Sequence, residues 1–241
     1  MNLFTLKNGK TVYCDKPTKE GAEAVMALFD ETYSRFCNGQ KMWAMDIGTS
    51  CGDSTIVMAA NLAKGSRIVC FEPSREIYPL LRSNLERNPE ITSACDIDIH
   101  TVAAGASYVM MDFDYHIDNG GLAIPGIVHP RTQPPYQVQV VNTYQYLMAN
   151  YSIPELQQIK FIKIDTEGYD FAVIRGLLPL IKNNQPHIVC EWWNDPVNSL
   201  ELFQSIDMTG YRAFNSRNEP VTANDFSTGK RTQDLFLLPP L

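Results

Sequence analysis

No Cys-x-x-Cys pair and no cysteine–histidine spacing of the zinc kind occurs in this 241-residue chain, although it carries Cys14, Cys37, Cys51, Cys70, Cys95 and Cys190. That absence removes zinc modules and dithiol chemistry from consideration. Cys70 and Cys190 lie inside apolar runs, where a thiol acts as a small buried residue, and unpaired structural thiols fit a reducing compartment. No apolar run approaches membrane-spanning length, and Met1 to Lys7 lacks the long apolar core of a secretory signal. The expectation is a soluble, cytoplasmic protein with no membrane partner. Positive charge is scarce too: 20 Lys and Arg against 27 Asp and Glu leave −7, without the clustered cations on which a broad nucleic-acid surface depends. Also missing are internal repeats, low-complexity segments and the Gly-x-Gly-x-x-Gly turn that cradles the pyrophosphate of dinucleotides.

What is present is ordinary globular material, 44% hydrophobic and 20% charged, enough for one large domain over 1–241. Residues 1–41 read as an N-terminal helical extension, with apolar positions at mostly helical spacing from Thr18 to Phe36. From Met42 the chain alternates short apolar runs with amphipathic stretches. The runs are Trp43 to Ile47, Arg67 to Phe71, Ile97 to Val102, Val138 to Val141, Ile159 to Ile164 and His187 to Cys190. Helices are expected at Ser54 to Leu62, Arg75 to Arg87, around Thr143 to Met148, at Asp170 to Ile181 and at Ser199 to Ile206. Two last strands fall near Tyr211 to Phe214 and Asp234 to Leu238. Such alternation predicts an α/β fold on a parallel sheet. Residues 106–137 lose all periodicity and read as a long loop, of the length that serves as a lid.

Two constellations carry chemistry. The first is Met45-Asp46-Ile47-Gly48-Thr49-Ser50-Cys51-Gly52-Asp53-Ser54, with Glu72 twenty positions beyond Gly52 at the end of the next strand. A turn with two glycines lets backbone approach a ligand, and an acid at the second strand's end can accept from two ribose hydroxyls. The Gly-x-x-x-Gly spacing favours a nucleoside without a phosphate cradle. The second is Lys163-Ile164-Asp165-Thr166-Glu167-Gly168-Tyr169-Asp170, followed by Glu191 at the end of a further strand. Ligands in open α/β sheets sit at the carboxyl ends of the strands, so Asp46, Glu72, Asp165, Glu167 and Glu191 should share one rim. Such acids can take up a hydroxyl proton, ligate a metal or accept from a polyol or amine. Helix capping is the plainer role for Asp165 and Glu167.

Asp46-Ile47-Gly48 to Gly52, Phe71-Glu72-Pro73-Ser74, Asn84, Lys163-Ile164-Asp165-Thr166-Glu167-Gly168 and Glu191, in this order and at these separations, resemble the FkbM family of S-adenosylmethionine-dependent methyltransferases, from about Trp43 to Glu191. The resemblance implies the class I methyltransferase fold, a Rossmann-like three-layer sandwich on a seven-stranded, mostly parallel sheet with one antiparallel strand near the C-terminus. It implies transfer to a hydroxyl of a small molecule or sugar. It also implies a cofactor-binding set of Asp46, Gly48, Thr49, Gly52, Asp53, Glu72, Pro73, Ala103 and Ala104, with Asp46, Gly48 and Gly52 at the methionine moiety, Glu72 at the ribose hydroxyls, and Ala103 and Ala104 beside adenine. The resemblance further implies a catalytic set of Asp165, Glu167 and Glu191, with Asp165 and Glu167 facing the methyl-transfer centre, and leaves a divalent metal such as magnesium open. Thr49-Ser50 stands where the family commonly has Ala-Asn, and Thr143-Tyr144-Gln145 where it has Thr-Leu-Asp, which removes a carboxylate.

Other readings stay beside this one. Ribose methylation of RNA would use Asp165 and Glu191 with Lys163 or Lys182, against the acidic balance. A catalytically silent nucleoside-binding module would keep the fold alone. Gln133-Pro134-Pro135-Tyr136 resembles the Asp-Pro-Pro-Tyr of amino-group DNA methyltransferases, but Lys163 to Glu167 holds the position where that motif belongs. His116 and Asp118 in the lid and Trp192-Trp193 after Glu191 are further residues that could reach the site.

Overall fold

A computed structural model describes residues 2–16, 22–114, 121–122, 134–191, 210–222, 224–225 and 234–240. The chain opens with two three-residue strands, β1 (Leu3–Thr5) and β2 (Thr11–Tyr13), paired antiparallel. Asn8-Gly9 turns the hairpin, with Gly9 at φ 80°, the dipeptide that suits such turns because positive φ costs glycine nothing. The N-terminal segment is thus a hairpin followed by helix α1 (Ala22–Phe36) rather than helical throughout.

The Rossmann-like body follows: β3 (Trp43–Ile47), α2 (Asp53–Asn61), β4 (Ser66–Phe71), α3 (Tyr78–Glu86), the short α4 (Pro89–Thr92) and β5 (Cys95–His100). Next come β6 (Ala103–Gly105), β7 (Val109–Asp114), β8 (Gly121–Leu122) and β9 (Tyr136–Asn142). Helices α5 (Thr143–Asn150) and α6 (Ile153–Leu156) lead to β10 (Ile159–Ile164), α7 (Asp170–Asn184), β11 (His187–Glu191), β12 (Arg212–Asn215) and β13 (Asp234–Leu238).

Seven strands form one sheet in the order β12-β13-β11-β10-β3-β4-β5, parallel except for β13, which runs against both neighbours. The reversal of strand order between β3 and β10 opens a crevice at the carboxyl ends, where an open sheet binds its ligand. All five residues of β3 are buried, which is why its sequence is a continuous run and not an alternation. One core lies beneath α5 and α7 and includes Met45, Phe71, Ile162 and Leu177; another lies beneath α1, α2 and α3 and includes Ala44, Ile56, Cys70 and Phe161. All six cysteines are buried and unpaired.

The stretch read as an unstructured loop carries two strands. β7 pairs antiparallel with both β8 and β9, and β6 lies parallel to β9, giving a second sheet in the order β6-β9-β7-β8. Val-Met-Met-Asp-Phe-Asp has no apolar alternation because β7 leaves Val109 and Met110 exposed and buries only its far end, Phe113 and Asp114. Its strand state comes from pairing with β9, a tertiary contact. Residues 115–120 and 123–133 of the expected lid, which include His116 and Asp118, the helix Ser199 to Ile206 and Trp192-Trp193 lie outside the described residues.

Candidate active site

Side chains alternate in direction along a strand, so parity decides which acids meet. Ala44 and Phe161 pack on the α1–α2 side, and two residues on, Asp46 and Lys163 point the same way. Register aligns Lys163 with Asp46 across β10 and β3, Lys163 with Val189 across β10 and β11, and Glu191 with Asp234 across β11 and β13. Asp165, Glu191 and Asp234 therefore gather at the carboxyl rim on the α1 side. They line, with Lys163, a pocket of about 460 Å³ whose other wall is α1.

The turn after β3 holds three residues at positive φ: Gly48 at 77°, Ser50 at 50° and Gly52 at 86°. A Cβ on Gly48 would stand 1.8 Å from the Asp165 carbonyl oxygen, and one on Gly52 would stand 2.6 Å from Leu81 Cδ1. These glycines thus admit neighbouring protein, joining the two constellations at Gly48 and seating α3 at Gly52, where the sequence suggested room for a ligand. The Asp165 amide donates to the Ile47 carbonyl at 2.9 Å, locking the same junction. Thr49 is fully buried, its hydroxyl donating to the Asp46 carbonyl at 2.8 Å.

Asp46 is fully buried as well. Its Oδ2 accepts from the hydroxyls of Ser54 (2.6 Å) and Thr55, and its Oδ1 stands 3.4 Å from Lys163 Nζ. Burial pushes its carboxyl up, against the pull of Lys163 and the two hydroxyls. Asp46 is therefore a beam beneath the turn and not a lining group. Asp53 is buried at the start of α2 and pairs with Lys16 of the N-terminal segment. Asn84, also fully buried, donates to the carbonyls of Cys51 and Asp15 at 2.8 Å each.

Glu72 sits just beyond β4, with Pro73 half-buried beside it. Its Oε2 accepts from the Ser50 amide at 2.7 Å and its Oε1 from the Ser74 amide at 2.8 Å. Burial lifts its carboxyl to about 7, against the backbone amides of Ser74 and Ser50. Each oxygen keeps a second acceptor site, so the group can take two further hydroxyl donors. This pair of free acceptor sites fits the two hydroxyl donors of a nucleoside diol.

Lys163 joins the halves. Its buried Nζ donates to the Gly48 carbonyl at 2.7 Å and lies 3.4 Å from both Asp46 Oδ1 and Asp165 Oδ2. Burial alone would lower its pKa, but Asp165 and then Asp46 hold it above the ordinary lysine value. Beyond β10, Glu167 occupies the left-handed region at φ 55°, a conformation that costs a non-glycine residue roughly 1 kcal/mol or more. Carboxylate oxygens of Asp165, Glu167 and Glu191 all lie within 4.8 Å of one another. That spacing lets the three share a proton, or hold one divalent cation.

Sequence reasoning missed Asp234, pushed up to about 6 by burial and then by the charge of Asp165, against Lys163. Its position as first residue of β13 was the available signal, but only the antiparallel register sets it beside Glu191. Also unforeseen is His100, at the end of β5, whose ring nitrogens meet the Tyr146 and Tyr151 hydroxyls at 3.2 and 2.7 Å. Ala103 and Ala104 are buried in β6, leaving chiefly their backbone to flank a ring. Lys182 is exposed near the C-terminal end of α7, about 18 Å along the helix from Asp170 at 1.5 Å per residue. That position removes it from any shared site with Asp165.

A family model described as the methyltransferase FkbM domain matches residues 46–213. Among solved structures, a methyltransferase FkbM from Methylobacillus flagellatus KT is 16% identical, with a TM-score of 0.54 over 85% of this chain and 47% of that one. The chain thus spans about half the length of that protein. A SAM-dependent O-methyltransferase from Thermotoga maritima is 9% identical over 88% of this chain and 64% of that one, with a TM-score of 0.49. An O-methyltransferase from Bacillus cereus, in complex with SAH, is 16% identical over 89% and 80%, with a TM-score of 0.47. No curated protein matches the sequence.

Proposed function

Because the chain belongs to the FkbM methyltransferase family, we propose that it transfers the methyl group of S-adenosylmethionine to a hydroxyl of a small molecule or sugar. The observation that carries this reading is the junction at Gly48, where Lys163 ties the nucleoside half to the acid half. Glu72 accepts from the ribose hydroxyls while the Ser50 and Ser74 amides hold its carboxylate in place. Thr49, Asp46 and Asp53 act from beneath, fixing the turn whose exposed residue is Ser50. The cofactor, when bound, supplies a methyl group already activated on a sulfonium, so the chain must mainly align the acceptor and offset its proton.

Asp165 stands nearest that task. It is half-buried at the pocket, and Lys163 beside it compensates its charge. Glu167 and Glu191 lie close enough to share the proton or to hold magnesium with Asp165. Turnover that survives a chelator assigns the three to proton uptake alone; turnover lost on chelation and restored by magnesium assigns them to the metal.

Calorimetry with S-adenosylmethionine and S-adenosylhomocysteine tests the reading. Binding of both is expected, and Glu72→Ala weakens it by about 1–3 kcal/mol, the worth of a charge-assisted hydrogen bond. Asp165→Asn leaves that binding in place and lowers turnover on a hydroxylated acceptor. Absence of heat with either sulfur compound would sink the proposal.

A further inference from the structure

The pocket beneath α1 has a chemical bias that the cofactor turn does not explain. Ala24, Val25, Leu28 and Phe29 give it an apolar wall. Opposite stand Lys163, Asp165, Glu191 and Asp234, and among the described lining residues Lys163 is the sole cation. Its charge is shared between Asp46 and Asp165, at 3.4 Å each, and it donates to the Gly48 carbonyl. Two carboxylates thus already share that one ammonium, and Glu191 and Asp234 add two more. Asp234 stands two strands from β10 in the sheet order, about 10 Å at ordinary strand spacing. Its charge falls on the α1 side of the crevice, away from Glu72 and the cofactor turn.

Tyr33 supplies a separate observation. It lines the same pocket, is 1% exposed, and its hydroxyl has no hydrogen-bond partner among the described residues. Burial and the charges of Asp46, Asp53 and Asp165 keep it protonated, as a neutral donor. A buried hydroxyl without a partner is rare and marks a place for one. A neutral polyol would meet a poor wall in Val25, Leu28 and Phe29, and an anion would meet Asp165 and Asp234.

We propose that this pocket admits a cationic amphiphile, with an apolar or aromatic body against α1, an ammonium group at Asp234, and a hydroxyl between Asp165 and Tyr33. The assignment of that occupant as the methyl acceptor rests on the methyltransferase reading; its preference for positive charge does not.

Tyramine, 4-ethylphenol and 4-hydroxyphenylpropionate share a phenol and differ in charge, so they serve as probes. Each is titrated calorimetrically into the full chain at neutral pH, with S-adenosylhomocysteine titrated into the same preparation. Tyramine is expected to bind about tenfold more tightly than 4-ethylphenol, with the acid weakest. Asp234→Asn brings the two closer than about threefold, and Leu28→Trp, which fills the wall side, weakens both. Equal binding of tyramine and 4-ethylphenol, no binding of either, or a tyramine preference untouched by both variants overturns the inference. Heat from S-adenosylhomocysteine with no tyramine preference leaves the methyltransferase reading standing and removes this one. A tyramine preference without that heat does the reverse.

Discussion

Glu72 is where one side chain's chemistry has consequences for the whole protein. Burial lifts it to about 7, Asp170 is pushed up to about 7 by burial and the charge of Asp165, and Asp234 reaches about 6. In the unfolded chain these carboxyls release their protons near ordinary values of about 4. The folded chain binds more protons between the two ranges, so their contribution to stability is full below about pH 4 and is lost as pH rises through about 7. Urea midpoints should therefore fall between about pH 5 and pH 8. Affinity for S-adenosylhomocysteine should run the other way, because the ribose hydroxyls need an ionised acceptor: about tenfold tighter at pH 8 than at pH 6. Affinity flat across that range would show that Glu72 is not the ribose acceptor. Glu72, Asp165 and Glu191 were legible because each ends an apolar run, where rim residues must fall, and Glu167 because it stands in the turn that follows one. Asp46 and Gly48 were legible as positions but not as roles, since only the packed structure shows the acid beneath the turn and the Asp165 carbonyl against the glycine.

At the scale of elements, the N-terminal segment is part of the site's support. Residues 13–16 run along α3 and the turn after β3: Tyr13 exchanges hydrogen bonds with Asn88, Asp15 with Asn84, and Lys16 pairs with Asp53. Asn84 donates in the same stroke to Cys51, inside the turn. Asn84→Ala strands the Asp15 amide and two carbonyls in a buried place, which costs about 2–4 kcal/mol. Chemical denaturation should register that loss, and calorimetry should show weaker S-adenosylhomocysteine binding, because the turn loses its outer anchor. Unchanged affinity in a folded Asn84→Ala protein would mean the turn holds its shape without the strap. The hairpin itself escaped notice because its strands are three residues long with one buried position in β2, Val12; Asn8-Gly9 was the overlooked signal. β7 escaped for a different reason, since nothing in its own residues specifies a strand without β9.

Across the whole molecule, protection should follow sheet position. β3 and β10 lie between parallel neighbours beneath two cores, so their amides open only with global unfolding, whereas β1–β2 and β7–β8 open locally. Hydrogen exchange read by mass spectrometry should show β3 and β10 slowest; a hairpin exchanging as slowly as β3 would contradict this. The sequence by itself determined the alternation of strand and helix, the bounds of β3, β10 and β13, and the placing of Glu72, Asp165 and Glu191 at strand ends. Those follow from local rules, since burial on both faces writes a continuous apolar run and the strand's end must meet solvent. The tertiary structure alone decided which acids face one another. Strand order and register brought Asp234 beside Glu191 and Lys163 beside Asp46, contacts between residues far apart in sequence. The same packing made Gly48 a junction between the two constellations, because what fills the space where its Cβ would lie is the backbone of Asp165.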